Sequence, residues 1–438
     1  MQDSRFDMGQ GENHRQERAF SQRVASLVWR SLSAYGRIKY RYLLPAYAML
    51  GLDNKKNNST PPLALRGAQR LARLLNGSGD HRDQLQAVIE RTESARGAVI
   101  FLPSTGWEIA NPQRSHHLAR EFARLGFVSV FDSTNAYDDV DGFREIEPNL
   151  FLFRGPAPLL AEIPDAVLWA LTYNFDRRSA YPQNARVVYD WIDDFEVFLY
   201  DRAFLERNHA HALKDATLVT CVAQTLHEQA SLIRPDALYL PNAVECARFA
   251  DLSAPIPDDP AIESLRREAK PIACYYGAMA EWLDYELIEA AAREREDWNF
   301  LFIGPAYDNS LRERGRGMLK RKNVRWIGPR PYSSLPGYLR LIDVAMIPFL
   351  INDITRATSP LKLYEFFAAA KPVVTTPLRE CLAFEDVLTA EGAKEFSRAL
   401  DTARASAQDS AFRERLRKLA EANSWTARAQ RVIEKLDV

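Results

Sequence analysis

The stretch Thr355-Arg-Ala-Thr-Ser-Pro-Leu-Lys-Leu-Tyr-Glu-Phe-Phe-Ala-Ala-Ala-Lys-Pro-Val-Val-Thr375 holds the densest chemistry in this sequence. Ser359 is a good helix N-cap and Pro360 suits a first helical turn, so a helix is predicted over 361–369. A short apolar strand, 344–347, precedes it and another, 372–375, follows. Free amides at a helix N-terminus form an anion site, to which Lys362 and Arg356 would add positive charge. Glu365 lies farther along the helix, where a carboxylate can accept hydrogen bonds from ribose hydroxyls. Together these parts describe a nucleoside-diphosphate site. The same pattern also reads as a plain amphipathic helix with a cap and an exposed Lys and Glu.

Working outward, strands and helices alternate on both sides. Strands are predicted over 272–276, 300–303 and 324–327, with helices over 285–295, 311–320 and 334–341 between and after them. Upstream, strands over 97–102, 127–131, 150–153, 167–171, 186–189, 217–222 and 237–240 alternate with helices such as 114–125. Such alternation implies parallel sheets with crossover helices. Residues 251–260 contain three aspartates and three prolines in a run without apolar periodicity, a domain-boundary composition. The expected fold class is α/β: two facing Rossmann-like domains with a deep interdomain cleft, plus a helical N-terminal extension. The expected boundaries are 1–95 for the extension and linker, 96–250 for the first domain and 261–410 for the second. Residues 411–438 would form C-terminal helices. Sheets of this kind bind ligands beyond the carboxyl ends of their strands.

The chain has 438 residues with 57 basic and 58 acidic side chains, so it lacks the basic excess of a bulk nucleic-acid binder. Cys221, Cys246, Cys274 and Cys381 are too widely spaced for a Cys-x-x-Cys zinc or redox motif, and free thiols are expected. The start of the sequence has no early apolar segment, and no run of 18 apolar residues occurs, so neither a signal peptide nor a membrane span is expected. Segment 20–50 carries Arg23, Arg30, Arg37, Lys39 and Arg41 with no acidic residue, and apolar residues at helical spacing. It reads either as an amphipathic helix at an anionic membrane surface or as a helix packing on the body. No Gly-x-Gly-x-x-Gly follows a strand and no Walker loop is present, which removes support for NAD or P-loop chemistry. Arg314-Gly-Arg-Gly317 reads as a solvated helix end. The acidic run Asp138-Asp139-x-Asp141 lacks the strand context of a metal-dependent transferase site, and no metal is called for.

The 359–374 segment resembles the donor-site signature of GT-B glycosyltransferases, especially the large bacterial family 4 and its relatives. Weaker motifs accompany it in the same order: Gln113-Arg-Ser-His-His-Leu-Ala-Arg120, Val187-Val-Tyr-Asp-Trp-Ile-Asp-Asp-Phe195, Leu240-Pro-Asn-Ala-Val244, Tyr276-Gly-Ala-Met-Ala-Glu-Trp282 and Val324-Arg-Trp-Ile-Gly-Pro-Arg-Pro-Tyr332. The resemblance implies that the second domain binds a nucleoside-diphosphate sugar and the first binds the acceptor, with the C-terminal helix crossing back to the first domain. It implies that Glu365 binds the donor ribose. Gly277, Arg356, Thr358, Ser359 and Lys362 would surround the diphosphate, and Arg330 or Tyr332 would stack on the nucleobase. Two departures stand out: Ala357 takes the place of a second glutamate, and Met279, Glu281 and Trp282 stand where an Arg and a Lys often occur.

The first domain would supply the acceptor site and a general base. Asp190, Asp193 and Asp194 cluster after a strand, and a carboxylate there could take the acceptor's proton. Asp193 or Asp194 could instead cap the following helix. His116 is another candidate base or phosphate ligand; on a helix it and His117 point about 100° apart, so at most one faces the cleft. Lys362 would act on the leaving group, and Trp107, Gln113 and Arg114 would contact the acceptor. The expected activity is sugar transfer from a nucleoside-diphosphate sugar to a saccharide or lipid-linked acceptor in bacterial surface-polysaccharide synthesis. It would occur in the cytoplasm, at the inner membrane face if segment 20–50 binds there, with no cofactor. A sugar-nucleotide epimerase of the same fold and a non-catalytic binding module are the alternatives.

Overall fold

The structure, a computed structural model, describes residues 80–438 apart from 110, 135–137, 252, 254 and 257. Segment 20–50 and the membrane reading attached to it lie outside the described residues.

The first sheet is built from strands β1 (Ala98–Phe101), β2 (Val128–Asp132), β3 (Gly142–Glu147), β4 (Leu150–Arg154), β5 (Ala166–Ala170), β6 (Arg186–Trp191), β7 (Leu218–Cys221) and β8 (Leu238–Tyr239). Their order is β3-β4-β2-β1-β5-β6-β7-β8. Every pairing is parallel except β3 with β4. The central strands read as continuous apolar runs, Ala-Val-Ile-Phe in β1 and Ala-Val-Leu-Trp-Ala in β5, because both faces are covered. Strand β3 was not predicted. Its sequence, Gly-Phe-Arg-Glu-Ile-Glu, carries three charges and sits at the sheet edge, where only half of it is shielded.

The second sheet is entirely parallel: β9 (Ile272–Tyr276), β10 (Asn299–Ile303), β11 (Val324–Trp326), β12 (Val344–Ile347), β13 (Val373–Thr375) and β14 (Val387–Thr389), ordered β11-β10-β9-β12-β13-β14. Strand β14 was also missed, being three residues long. The predicted helix over 311–320 is two short helices, Ser310–Glu313 and Arg316–Leu319, interrupted at Gly315.

Each sheet has its own core. The C-terminal helix Trp425–Leu436 does not pack on the second. Its Trp425, Ala429, Val432, Ile433 and Leu436 join the core on one face of the first sheet, with Leu118, Phe122 and Trp169. The two crossings between the sheets run side by side: Val244 forms a bridge with Ser424, and its amide donates to the Asn423 carbonyl at 3.1 Å. Among the described residues no helix is long and apolar enough to cross a membrane.

Candidate active site

The carboxyl ends of the two sheets meet along a polar seam. After β8, the Asn242 amide donates to Ser359 Oγ at 3.2 Å, and Asn242 Nδ2 donates to the Ser359 carbonyl at 2.8 Å. Thr225 Oγ1 donates to the Arg356 carbonyl at 2.9 Å. Glu380 accepts from the Gln224 amide at 2.6 Å and from Tyr239 Oη at 2.5 Å. Ala357 is buried in the same apolar cluster as Tyr189, Trp191 and Val222 of the first domain. A carboxylate at that position would have to displace this packing, so the departure at 357 is built into the seam.

The quoted segment folds as a helix, Leu361–Ala368, that starts where predicted and ends one residue earlier. Pro360 occupies the N-cap position and no side chain caps it, because Ser359 Oγ is turned to Asn242. The Leu361 and Lys362 amides make no hydrogen bond among the described residues, which leaves them open to an acceptor. The Lys362 ammonium sits over the rings of Tyr275 and Phe349, 5.3 and 5.0 Å from their centroids. No ion pair neutralises it among the described residues. Desolvation draws its pKa down to about 8, with Glu365 opposing.

Gly277 adjoins this cation. Its φ is +137°, and a Cβ there would lie 2.9 Å from Tyr275 Oη and 3.1 Å from Lys362 Cε. The neighbouring Gly304, φ +148°, passes so close to the Gly277 carbonyl that no side chain fits. The turn after β9 is therefore bare backbone beside a lone cation and two open amides, an arrangement that can hold an anion.

Glu365 lies one turn deeper and is 1% exposed. It accepts from Tyr276 Oη at 2.5 Å and from Tyr332 Oη at 2.6 Å. Desolvation raises its pKa against those two bonds and Lys362. Tyr332 does not lie open as a stacking platform. Its ring packs edge-on to Phe249 at 5.5 Å, beneath the Arg248 guanidinium at 5.5 Å, with His117 6.1 Å away. Three other predicted donor residues are engaged elsewhere. Arg330 is tied to Asp259 at 2.5 Å and to Tyr338 Oη at 3.0 Å, and so anchors the interdomain linker. Arg356 is exposed and paired with Asp353 at 3.1 Å. Thr358 Oγ1 is spent on the Ile354 carbonyl at 2.9 Å.

In the first domain the aspartates separate by role. Asp190 is fully buried and binds Arg114 through both oxygens, at 2.8 and 3.1 Å, and also takes Thr220 Oγ1 at 2.7 Å. Asp194 caps the turn Phe195–Val197, accepting from the Glu196 amide at 2.9 Å. Asp193 alone keeps a carboxylate with no hydrogen bond or ion pair among the described residues. Desolvation, then the neighbouring Asp194, raises it to about 7.

Three further expectations need correction. Arg114 is buried, and its guanidinium is used by Asp190 and the Pro241 carbonyl, so it cannot reach an acceptor. His116 has both ring nitrogens occupied: Nδ1 accepts the Gln113 amide at 3.1 Å and Nε2 lies 2.8 Å from the Gly106 carbonyl. It holds a loop and has no nitrogen free for proton transfer. Trp107 packs against His116 and Phe131, each 5.1 Å away, under Arg120, while its amide donates to Asp138 at 2.6 Å. Gln113 remains exposed, donating to the Asn111 carbonyl at 3.1 Å.

The histidine that reaches the second domain is His117. It is 3% exposed, stacks on Trp425 at 5.0 Å and 3°, and its Nε2 is buried without a partner. Desolvation, then Arg120, lowers it to about 3, so it is neutral. Tyr276, Asn242 and Arg248 were missed as site residues, although the first two lie inside quoted motifs, and His117 was passed over for its neighbour His116. Helical phase could have separated His117 from His116 only with the partner helix in hand.

A surface cavity of about 310 Å³ lies at the opposite, amino end of the second sheet, lined by Lys270, Ile272, Asp343 and Arg404 among others. Its charges are already engaged: Arg404 with Asp343 at 3.3 Å, Lys270 Nζ with the Glu296 carbonyl at 2.8 Å. Among the described residues no group of three His, Cys, Asp or Glu is placed to hold a metal ion.

Two parallel α/β sheets meeting at their carboxyl ends, with a helix start aimed into the seam, define the GT-B class of fold. Residues 270–405 match the family described as "Glycosyl transferases group 1". TuaH of Bacillus subtilis (strain 168), named for a glycosyltransferase role in teichuronic acid biosynthesis, is 30% identical over 245 residues. That match covers 51% of this chain and 60% of TuaH. Among solved structures, Anabaena HepE in complex with UDP and glucose superposes with a TM-score of 0.57 at 14% identity, covering 78% of this chain and 99% of that one. Sucrose-phosphate synthase from Thermosynechococcus elongatus gives 0.57 at 15% identity, covering 78% and 98%. The resemblance to GT-B glycosyltransferases is thus borne out in fold and in the family match of residues 270–405.

Proposed function

We propose that this chain is a glycosyltransferase that moves a sugar from a nucleoside-diphosphate sugar to a saccharide or lipid-linked acceptor, in bacterial surface-polysaccharide synthesis. The observation that carries the reading is the Lys362 ammonium, without an ion-pair partner among the described residues, beside the bare Gly277 turn and the open amides of the Leu361–Ala368 helix. A diphosphate placed there would pair with the cation and the amides. Charge on it grows as the glycosidic bond breaks, so these groups would stabilise the transition state more than the ground state. Glu365 would accept the ribose hydroxyls once Tyr332 gives way. UDP is the first nucleotide to test, because the Anabaena protein was solved with UDP and an E. coli trehalose-6-phosphate structure of the same fold with UDP-2-fluoro glucose.

Asp193 is the proposed base: its oxygen takes the acceptor hydroxyl proton while the acceptor oxygen bonds to the anomeric carbon and the nucleoside diphosphate departs. The relatedness of residues to TuaH supports a cell-surface polymer as product. The test is transfer of radiolabelled sugar from UDP-sugars to membrane extracts of a polysaccharide-producing bacterium, with wild type and Asp193→Asn. Label in a saccharide product that falls at least about 100-fold in the variant is expected, the usual scale for a general base. Release of free sugar alone, or equal transfer by both proteins, would count against the reading.

A further inference from the structure

Beyond Asp193 the chain does something unusual for a soluble surface. The turn Phe195–Val197 leads through 198–200 to the cap of helix Arg202–Asp215. In these few residues Val197 is 42% exposed, Leu199 39% and Tyr200 44%. They make up three of the nine exposed large apolar side chains among the described residues. Single exposed apolar residues need no explanation, but a contiguous set marks a contact surface.

The ledge is also ordered by aromatic packing. Tyr200 stacks on Tyr173 with centroids 5.3 Å apart and planes at 5°, and on Phe204 at 5.9 Å. Phe198 leans on Tyr173 at 5.3 Å. Tyr173 follows β5, the strand beside β6, so the ledge spans the carboxyl ends of two adjacent strands, next to Asp193. Its charged border is self-satisfied: Arg202 pairs with Glu196 at 2.6 Å and with Glu206 at 2.8 Å. Apart from Asp193, every charged side chain from Asp194 to Glu206 has a hydrogen-bond or ion-pair partner among the described residues.

We propose that the acceptor is amphiphilic, and that the Val197, Leu199 and Tyr200 ledge seats its hydrocarbon chain while its hydroxyl reaches Asp193. This rests on the glycosyltransferase reading and selects, within it, a lipid-bearing acceptor over a free saccharide. Continuity with the only unpartnered carboxylate of the Asp190, Asp193 and Asp194 cluster favours an acceptor over a protein partner.

The test uses the full chain and methyl, hexyl, octyl and dodecyl β-D-glucosides below their micelle concentrations, with binding followed by calorimetry. Each buried methylene is worth roughly fourfold in affinity when fully covered, so about twofold per methylene is expected on a half-open ledge. The Val197→Ser/Leu199→Ser double variant should lose that chain-length dependence while binding UDP as wild type does. Equal affinity for methyl and dodecyl glucosides would overturn the proposal, as would an unchanged series in the double variant. Flotation of the wild type, but not the double variant, with phosphatidylcholine vesicles in the absence of glucoside would also overturn it, by assigning the ledge to a bilayer. Absence of UDP binding in the wild type would instead defeat the donor reading, and the glucoside series would still decide the ledge.

Discussion

Desolvation moves Asp193 up to about 7 and Lys362 down to about 8, which narrows the pH range in which both are ionised. A base must be deprotonated and a phosphate-binding lysine protonated. The profile of kcat/KM should therefore be bell-shaped, rising through about 7 and falling above about 8, and Lys362→Arg should push the alkaline limb upward. An acid limb that persists unaltered in the residual activity of Asp193→Asn would assign the base elsewhere. Stability follows the same group with a definite sign. Folded Asp193 holds its proton more tightly than the unfolded value of 3.8, so its contribution is complete below that value and is lost as pH rises through about 7. Urea unfolding at several pH values should show this loss in the wild type and not in Asp193→Asn. Glu365→Ala removes the acceptor of two buried tyrosine hydroxyls. A cost of about 1–3 kcal/mol per stranded group is expected in unfolding, with weaker nucleotide binding in the folded variant.

At the scale of elements, the Leu361–Ala368 helix was legible because its apolar run and flanking strands leave few alternatives. Its cap was not, since Ser359 is claimed by Asn242, 117 positions earlier in the chain. The same long-range competition explains the misread site residues. Arg114 and His116 have the chemistry of ligands, yet Asp190 and the Gly106 carbonyl, brought in by other strands and loops, use it up. Asp193 and Lys362, by contrast, keep side chains without an ion-pair partner among the described residues, as their proposed roles require. The short edge strands β3 and β14 escaped because six residues with three charges and three residues alone carry no clear period. The loop after β11 yields a prediction of its own. Tyr332 Oη donates to Glu365 where a ribose hydroxyl would. Tyr332→Phe deletes that competitor and keeps the ring between Phe249 and Arg248. Nucleotide affinity measured by equilibrium dialysis should rise or hold in this variant; a loss of tenfold or more would make the tyrosine hydroxyl a ligand of the nucleotide instead.

Across the whole molecule, the two domains are joined by adjacent crossings at Val244 and Ser424 and by the polar seam around Glu380. Glu380 is buried and shares its two oxygens between a first-domain amide and a first-domain hydroxyl, while Arg379 pairs with Glu228 at 2.7 Å. Glu380→Ala leaves both first-domain donors unpaired. It should cost about 1–3 kcal/mol and increase the radius of gyration measured by small-angle scattering, as the seam parts about the crossings. An unchanged radius together with full stability would show that the seam does not hold the domains. The central claim is that an unneutralised lysine at the start of the Leu361–Ala368 helix binds a nucleoside diphosphate. Calorimetric titration of UDP, GDP, ADP and dTDP into the full chain and into Lys362→Met tests it most directly. One of the four should bind the wild type, and Lys362→Met should weaken it by about tenfold or more, the loss of one charge-assisted hydrogen bond. Binding of none, or equal binding by both proteins, would contradict the account.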